Sequence, residues 1–261
     1  MKKGFSLIEL SIVLVIVGLL VGGVLAGKSL IRASELRSVT SDLRRYQTAT
    51  MAFRDKYFQL PGDISNATSF WPAADAGDGV GTDCYDTNNS AATCNGNGDG
   101  KIYPGSGNYT TEWNEITRVW QHLAFSGLVE GTYTGVSTSA VGSAMRSTSG
   151  VNIPAAKLAG GGYRMNYRNN PSGISNQFPI VATVIYFGEW SDDSTPQTIL
   201  TAEETWNIDT KLDDGMPGTG NVRSGLNNTG LPNCVDSDTA SSAAYFFSNS
   251  SVGCWISYKI L

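Results

Sequence analysis

Three groups of residues in this sequence have types and spacings suited to chemistry. The first is Asn95-x-Asn97-x-Asp99-Gly100-x-Ile102. Side-chain oxygens at alternate positions, a glycine at the sharp turn and an apolar exit residue reproduce the first eight positions of a calcium loop. The twelfth position is Ser106 where a bidentate Glu is usual, so a bound Ca2+ would need help from Asp75, Asp78, Asp83 and Asp86 just upstream. The second group is the four cysteines, Cys84, Cys94, Cys234 and Cys254. Four cysteines allow three pairings; Cys84–Cys94 with Cys234–Cys254 is expected, because each pair brackets a short Gly/Asn/Ser-rich stretch. Zinc is disfavoured, since the spacings are not C-x2-C and the chain has one histidine, His122. The third group is a single carboxylate, Glu9, inside the apolar run "FSLIELSIVLVIVGLLVGGVLAG" from Phe5 to Gly27.

Catalysis finds little support in the same inventory. His122 has no serine or cysteine nucleophile signature beside it, and no pair of carboxylates is set out for acid–base work. A membrane-anchored periplasmic enzyme is therefore the weaker functional class. Charge divides the chain. Residues 1–56 hold nine Lys/Arg against four Asp/Glu, and the remainder nine against nineteen. The acidic part is a poor nucleic-acid ligand, which needs clustered positive charge.

These residues need elements to position them. The run from Phe5 to Gly27 has the ~20 residues of a bilayer span. Beyond it, Leu36, Val39, Leu43, Tyr46, Thr50, Phe53 and Tyr57 recur at spacings of three and four, one stripe of an amphipathic helix. No proline intervenes before Pro61, so residues 5 to about 56 are expected to form one helix about 78 Å long. Gly18, Gly22, Gly23 and Gly27 suit either close helix packing or local softness.

A plain membrane anchor gives no reason for Glu9, since a carboxylate there costs up to ~2.5–3.5 kcal/mol on insertion scales. "KKGFSLIEL" followed by an apolar helix resembles the leader of type IV prepilins and of type II secretion pseudopilins. The resemblance covers residues 1 to about 56. It implies cleavage between Gly4 and Phe5 by a membrane prepilin peptidase and N-methylation of Phe5. It also implies anchoring in the inner membrane with the head in the periplasm, then assembly into a filament of like subunits. Glu9 would there pair with the Phe5 ammonium of a neighbour, because an unpaired buried charge is very costly. The function implied is a structural subunit of a type IV pilus-like filament, or alternatively a minor pseudopilin of a secretion system. Some pseudopilins bind calcium in their loops.

The fold implied is α+β and pilin-like, with the first half of the long helix protruding from a globular head of antiparallel sheet and long loops. The boundaries are a leader at 1–4, a membrane or filament-core half-helix at 5–27, an amphipathic half at 28–56 and a head at 57–261. Within the head, "TEWNEITRVWQHLAFSGLVEG" predicts a helix capped by Thr111 and closed by Gly127. "GGGYRMNYR" and "FPIVATVIYFGEW" predict strands. "TAEETWNIDTKLDDG" predicts a helix with a Thr201/Glu204 capping box, and its Asp213–Asp214 pair is a minor second metal candidate. The tail "AYFFSNSSVGCWISYKIL" predicts a hairpin turning at Asn249-Ser250-Ser251.

Overall fold

The computed structural model describes residues 7–74, 91–103, 115–136, 146–171, 178–193, 196–225, 234–237 and 239–261. Helix α1 runs unbroken from Leu7 to Tyr57. Its second half buries Val39, Leu43, Tyr46, Ala49, Thr50 and Phe53; of the stripe that the spacing predicts, Leu36 and Tyr57 at the two ends are half-buried, and Ala49 is added. Its first half buries nothing, and its 18-residue apolar window is long and hydrophobic enough to cross a membrane.

The buried stripe packs on a four-stranded antiparallel sheet of spatial order β2-β3-β6-β5. The strands are β2 (Gly161–Asn170), β3 (Ile180–Glu189), β5 (Val222–Ser224) and β6 (Ile256–Lys259). A two-stranded ribbon pairs β1 (Ser147–Thr148) with β4 (Ser191–Asp193). The β2–β3 ladder runs from Gly161↔Glu189 to Asn170↔Ile180 without a slip. Alternation on β2 decides which residues meet the helix. Tyr163 stacks edge-on to Tyr46 with centroids 5.0 Å apart, and Thr50 Oγ1 lies 3.8 Å from Met165 Sδ. Between them, Arg164 points to the other face and lies over the Trp190 ring at 5.4 Å. Loop carbonyls close the outer edge of β2: Tyr163 N donates to Pro154 O and Tyr167 N to Ile102 O. An edge strand left bare would be a template for aggregation.

Helix α2 (Glu115–Phe125) is buried from Glu115 through Leu123. Trp120 meets Tyr46 of α1 edge-on at 4.8 Å. Gly127 closes it as expected, with φ +75° and the bonds Leu128 N to Leu123 O and Gly127 N to Ala124 O. Thr111 lies outside the described residues. Helix α3 (Ala202–Leu212) has the predicted capping box: Thr201 Oγ1 accepts from Glu204 N, and Glu204 Oε2 accepts from Thr201 N.

The tail corrects the predicted hairpin. The chain turns at Asn249-Ser250-Ser251, but the two arms do not pair with each other. Tyr245 bridges to Val235, and β6 inserts between β3 and β5, with Ile185↔Tyr258 and Val222↔Tyr258 in register. The apolar alternation of the last strand is satisfied by β3, which no local pattern names. The Cys234–Cys254 disulfide, with Cα atoms 5.1 Å apart, ties the second arm to the 234–236 segment on which the first arm pairs.

Candidate functional site

The half of α1 that leaves the head is apolar on all sides, with Leu7, Ile8, Leu10, Leu14, Leu19 and Leu25 exposed. A helix greasy all round is stable only when another medium or other helices surround it. Among the described residues nothing lies within 4 Å of where a Cβ would stand on Gly18, Gly22, Gly23 or Gly27, so these glycines leave open grooves on the helix. Gly18 and Gly22 have the four-residue spacing that lets two helices approach closely. Glu9 is exposed in the first turn of α1, where the positive end of the helix dipole favours a carboxylate. Gly4 and Phe5 lie outside the described residues.

At the junction with the head, Arg32 holds both oxygens of Glu204: Nε to Oε1 at 2.6 Å and Nη2 to Oε2 at 2.8 Å. Arg32 Nη2 also donates to Ile199 O at 3.2 Å. Glu204 is the capping residue of α3, so one carboxylate closes that helix and clamps α1. The Arg32 hydrogen bonds and the Thr201 N–H outweigh burial and hold the Glu204 carboxyl below its usual range. Further along, Arg44 Nη2 donates to Lys211 O and Tyr258 Oη to Gln47 Oε1. The bare half of the helix therefore begins where Arg32 is fixed.

In the loop with the calcium-like pattern, the side-chain oxygens accept hydrogen bonds from the chain itself. Asn95 Oδ1 accepts from both Thr68 N and Thr68 Oγ1, at 2.9 and 3.2 Å. Both lone pairs of that oxygen are thereby engaged. Asn97 Oδ1 accepts from Asp99 N, and Asp99 Oδ1 from Lys101 N, each at 2.9 Å. The loop's own N–H groups converge on two carboxylates that the sequence pattern does not single out. Asp63 accepts from Asp99 N and Gly100 N at 3.0 Å. Glu115 accepts from Asn97 N at 3.0 Å and Tyr103 N at 2.9 Å. Burial raises the Asp63 carboxyl to about 6 and the Glu115 carboxyl to about 8, against the opposing pull of these N–H donors. Ser106, Asp75, Asp78, Asp83, Asp86 and Cys84 lie outside the described residues; Cys94 is disulfide-bonded.

His122 is buried and structural. Its Nδ1 accepts from Gly62 N at 2.9 Å, so its Nε2–H faces Thr93 Oγ1 at 2.7 Å. The ring stacks on Trp71 at 5.4 Å. Burial, with Arg118 nearby, lowers its pKa to about 3. With both ring nitrogens committed, it is not placed as a general base.

At the end of α3, Asp213 and Asp214 are joined by Asp209, and the three offer carboxylate oxygens within 4.8 Å of one another. Each carboxylate already has donors. Asp209 accepts from Tyr245 Oη and Gly215 N, Asp213 from Asn221 and Val222, and Asp214 from Met216 N and Thr219 Oγ1. Burial raises the Asp209 carboxyl to about 7. The sequence signal missed here is Asp209 itself, four residues before Asp213 and so on the same helix face.

Residues 1–25 match the prokaryotic N-terminal methylation motif. No curated protein and no solved structure matches the chain.

Proposed function

From a chain whose first residues are the methylation leader of type IV pilins and pseudopilins, we propose a structural subunit of a type IV pilus-like filament that assembles through α1. The observation that supports it most is the coincidence of that leader with a bare apolar half-helix continuous with a clamped, head-bound half. In this reading a prepilin peptidase cuts between Gly4 and Phe5 and methylates Phe5. The subunit waits in the inner membrane with its head in the periplasm. Leaving the bilayer then costs little, because neighbouring α1 helices replace the lipid around Leu7–Gly27. The Phe5 ammonium, with an α-amino pKa of roughly 8, enters that core charged. Glu9 of an adjacent subunit neutralises it; without a partner the buried charge would cost several kcal/mol.

Pilus and secretion pseudopilus share this step. The large acidic head is compatible with a minor subunit as well as with the bulk one, and the copy number in sheared filaments sorts them. The intact mass of membrane-extracted protein tests the processing. A chain beginning at methylated Phe5 is expected. A mature start after Ala26, the site of an ordinary secretory cleavage, would overturn the proposal.

A further inference from the structure

The segment Asn95-Gly96-Asn97-Gly98-Asp99-Gly100 sets Asx–Gly steps end to end. Each of the first two glycines has a structural reason. A Cβ on Gly96 would collide with the Asp63 backbone, and Gly98 has a φ of +75°, where an L side chain is strained. The pairing has a chemical consequence. The side-chain carbon Cγ of an Asx residue is an electrophile, and the backbone nitrogen of the next residue can close a ring on it. Glycine leaves that nitrogen uncrowded.

A step reacts only when its nitrogen and its Cγ are free to meet, and here the nitrogens are held. Gly96 N donates to Ile64 O at 2.8 Å, Gly98 N to Asp63 O at 2.9 Å and Gly100 N to Asp63 Oδ2 at 3.0 Å. Asp99 N donates to Asp63 Oδ1, so the successive N–H groups of residues 98 to 100 wrap one residue, a nest around Asp63. The holds differ in depth. At Asn95–Gly96 the side-chain Oδ1 is fixed by Thr68 N and Thr68 Oγ1, and Gly96 is buried. Reaction there needs the 63–64 segment to move away. At Asn97–Gly98 both residues are exposed, and Asn97 Oδ1 accepts from Asp99 N within the same turn. Local opening of that turn frees both groups together, with the rest of the head intact. At Asp99–Gly100 the electrophile is a carboxylate, which a nitrogen attacks less readily than an amide.

We infer that Asn97 is a site of spontaneous deamidation in the folded chain, and that Asp63 slows it by holding the 98–100 backbone. Gly98 N gives up its proton and bonds to Asn97 Cγ. The Cγ–Nδ2 bond breaks and ammonia leaves with the proton. Water then opens the resulting imide on either side, giving aspartate or isoaspartate at position 97; the balance is amide and water to acid and ammonia. The new carboxylate stands beside Asp99, and isoaspartate also lengthens the main chain between the N–H groups that Glu115 and Asp63 hold. The inference holds whether or not the chain polymerises.

The test uses the full chain in detergent, incubated at mildly alkaline pH in heavy-oxygen water and then mapped by peptide mass spectrometry. In denaturant, Asn95 and Asn97 precede glycine alike and are expected to convert at similar rates. In the folded chain, Asn97 is expected to convert at least tenfold faster than Asn95. An Asn95 that keeps pace with Asn97, or an Asn97 that stays intact while the denatured chain converts, would overturn the site. The variant Asp63→Ala removes the carboxylate from the nest. It is expected to speed conversion at Asn97 at least fivefold, and Asp63→Asn, which keeps one acceptor oxygen, to speed it less. An unchanged rate at Asn97 in either variant that still melts cooperatively would remove Asp63 from that role. The comparison of folded with denatured parent chain decides the site independently of how the variants fold.

Discussion

The two halves of α1 share a backbone and differ in where their partners are. From Arg32 to Tyr57 the apolar residues keep to one stripe, and that stripe meets the sheet and α2 within the same chain. From Leu7 to Gly27 they cover every side and are exposed among the described residues. A stripe specifies an internal contact; an all-round apolar surface defers the contact to lipid or to other copies. Arg32 with Glu204 marks the change from one regime to the other. One continuous element is therefore part of a folded head at one end and an unfinished interface at the other.

The comparison breaks first at matched leucines. Leu43 is fully buried and Leu14 is exposed. Leu43→Ala is expected to cost about 2–5 kcal/mol of head stability through transfer and cavity terms. Leu14→Ala should leave the melting of the detergent-solubilised chain within about 0.5 kcal/mol of the parent. Equal losses from the two would show that the first half packs on the head.

Proton linkage sharpens the contrast, because the raised carboxyls all belong to the head. Glu115, raised to about 8, keeps its proton in the folded state over a range where the unfolded chain has released it. That contribution is full at acid pH and is lost as pH climbs through 8. Asp209 at about 7 acts in the same direction. His122, lowered to about 3, opposes them only below about pH 6.5, where the unfolded imidazole charges. The melting temperature of the head should fall between pH 6.5 and pH 9, and Glu115→Gln should flatten the upper part of that fall. A rise over this range would contradict the burial of Glu115.

Much of this could be read from the residues alone. The α1 stripe, the Thr201–Glu204 box, the Gly127 closure and the β2 and β3 strands all rest on local signals, and each is in the structure. What was illegible depends on distant partners. The last strand pairs with Val184 and Ile185 of β3, not with the segment just before it. That the loop's N–H groups donate to Asp63 and Glu115, from two other places in the chain, could not be read from the 95–99 pattern. Arg118, Gln121 and His122 are polar, yet all are buried on α2, and their partners lie elsewhere in the chain: Gln121 donates to Ala92 O and His122 accepts from Gly62 N.

The smallest expected effect lies in the glycines of the bare half. Gly22 has open space around it and helical backbone, so Gly22→Ala should stabilise the helix of the isolated subunit by about 0.5–1 kcal/mol without moving the melting of the head. If small residues serve helix contact between copies, the same change should loosen filaments while firming the monomer. Circular dichroism of the detergent-solubilised chain and the shear resistance of filaments read the two effects.

The most direct test is filament yield from Glu9→Ala beside the parent chain, with intact mass and head melting measured on the same cells. A neighbour's Glu9 is the proposed partner of the Phe5 ammonium in a core without water. Processing and melting should be unchanged and the yield of sheared filaments should drop at least tenfold. A normal yield from properly processed Glu9→Ala subunits would contradict assembly through the bare half of α1 by that charge pair.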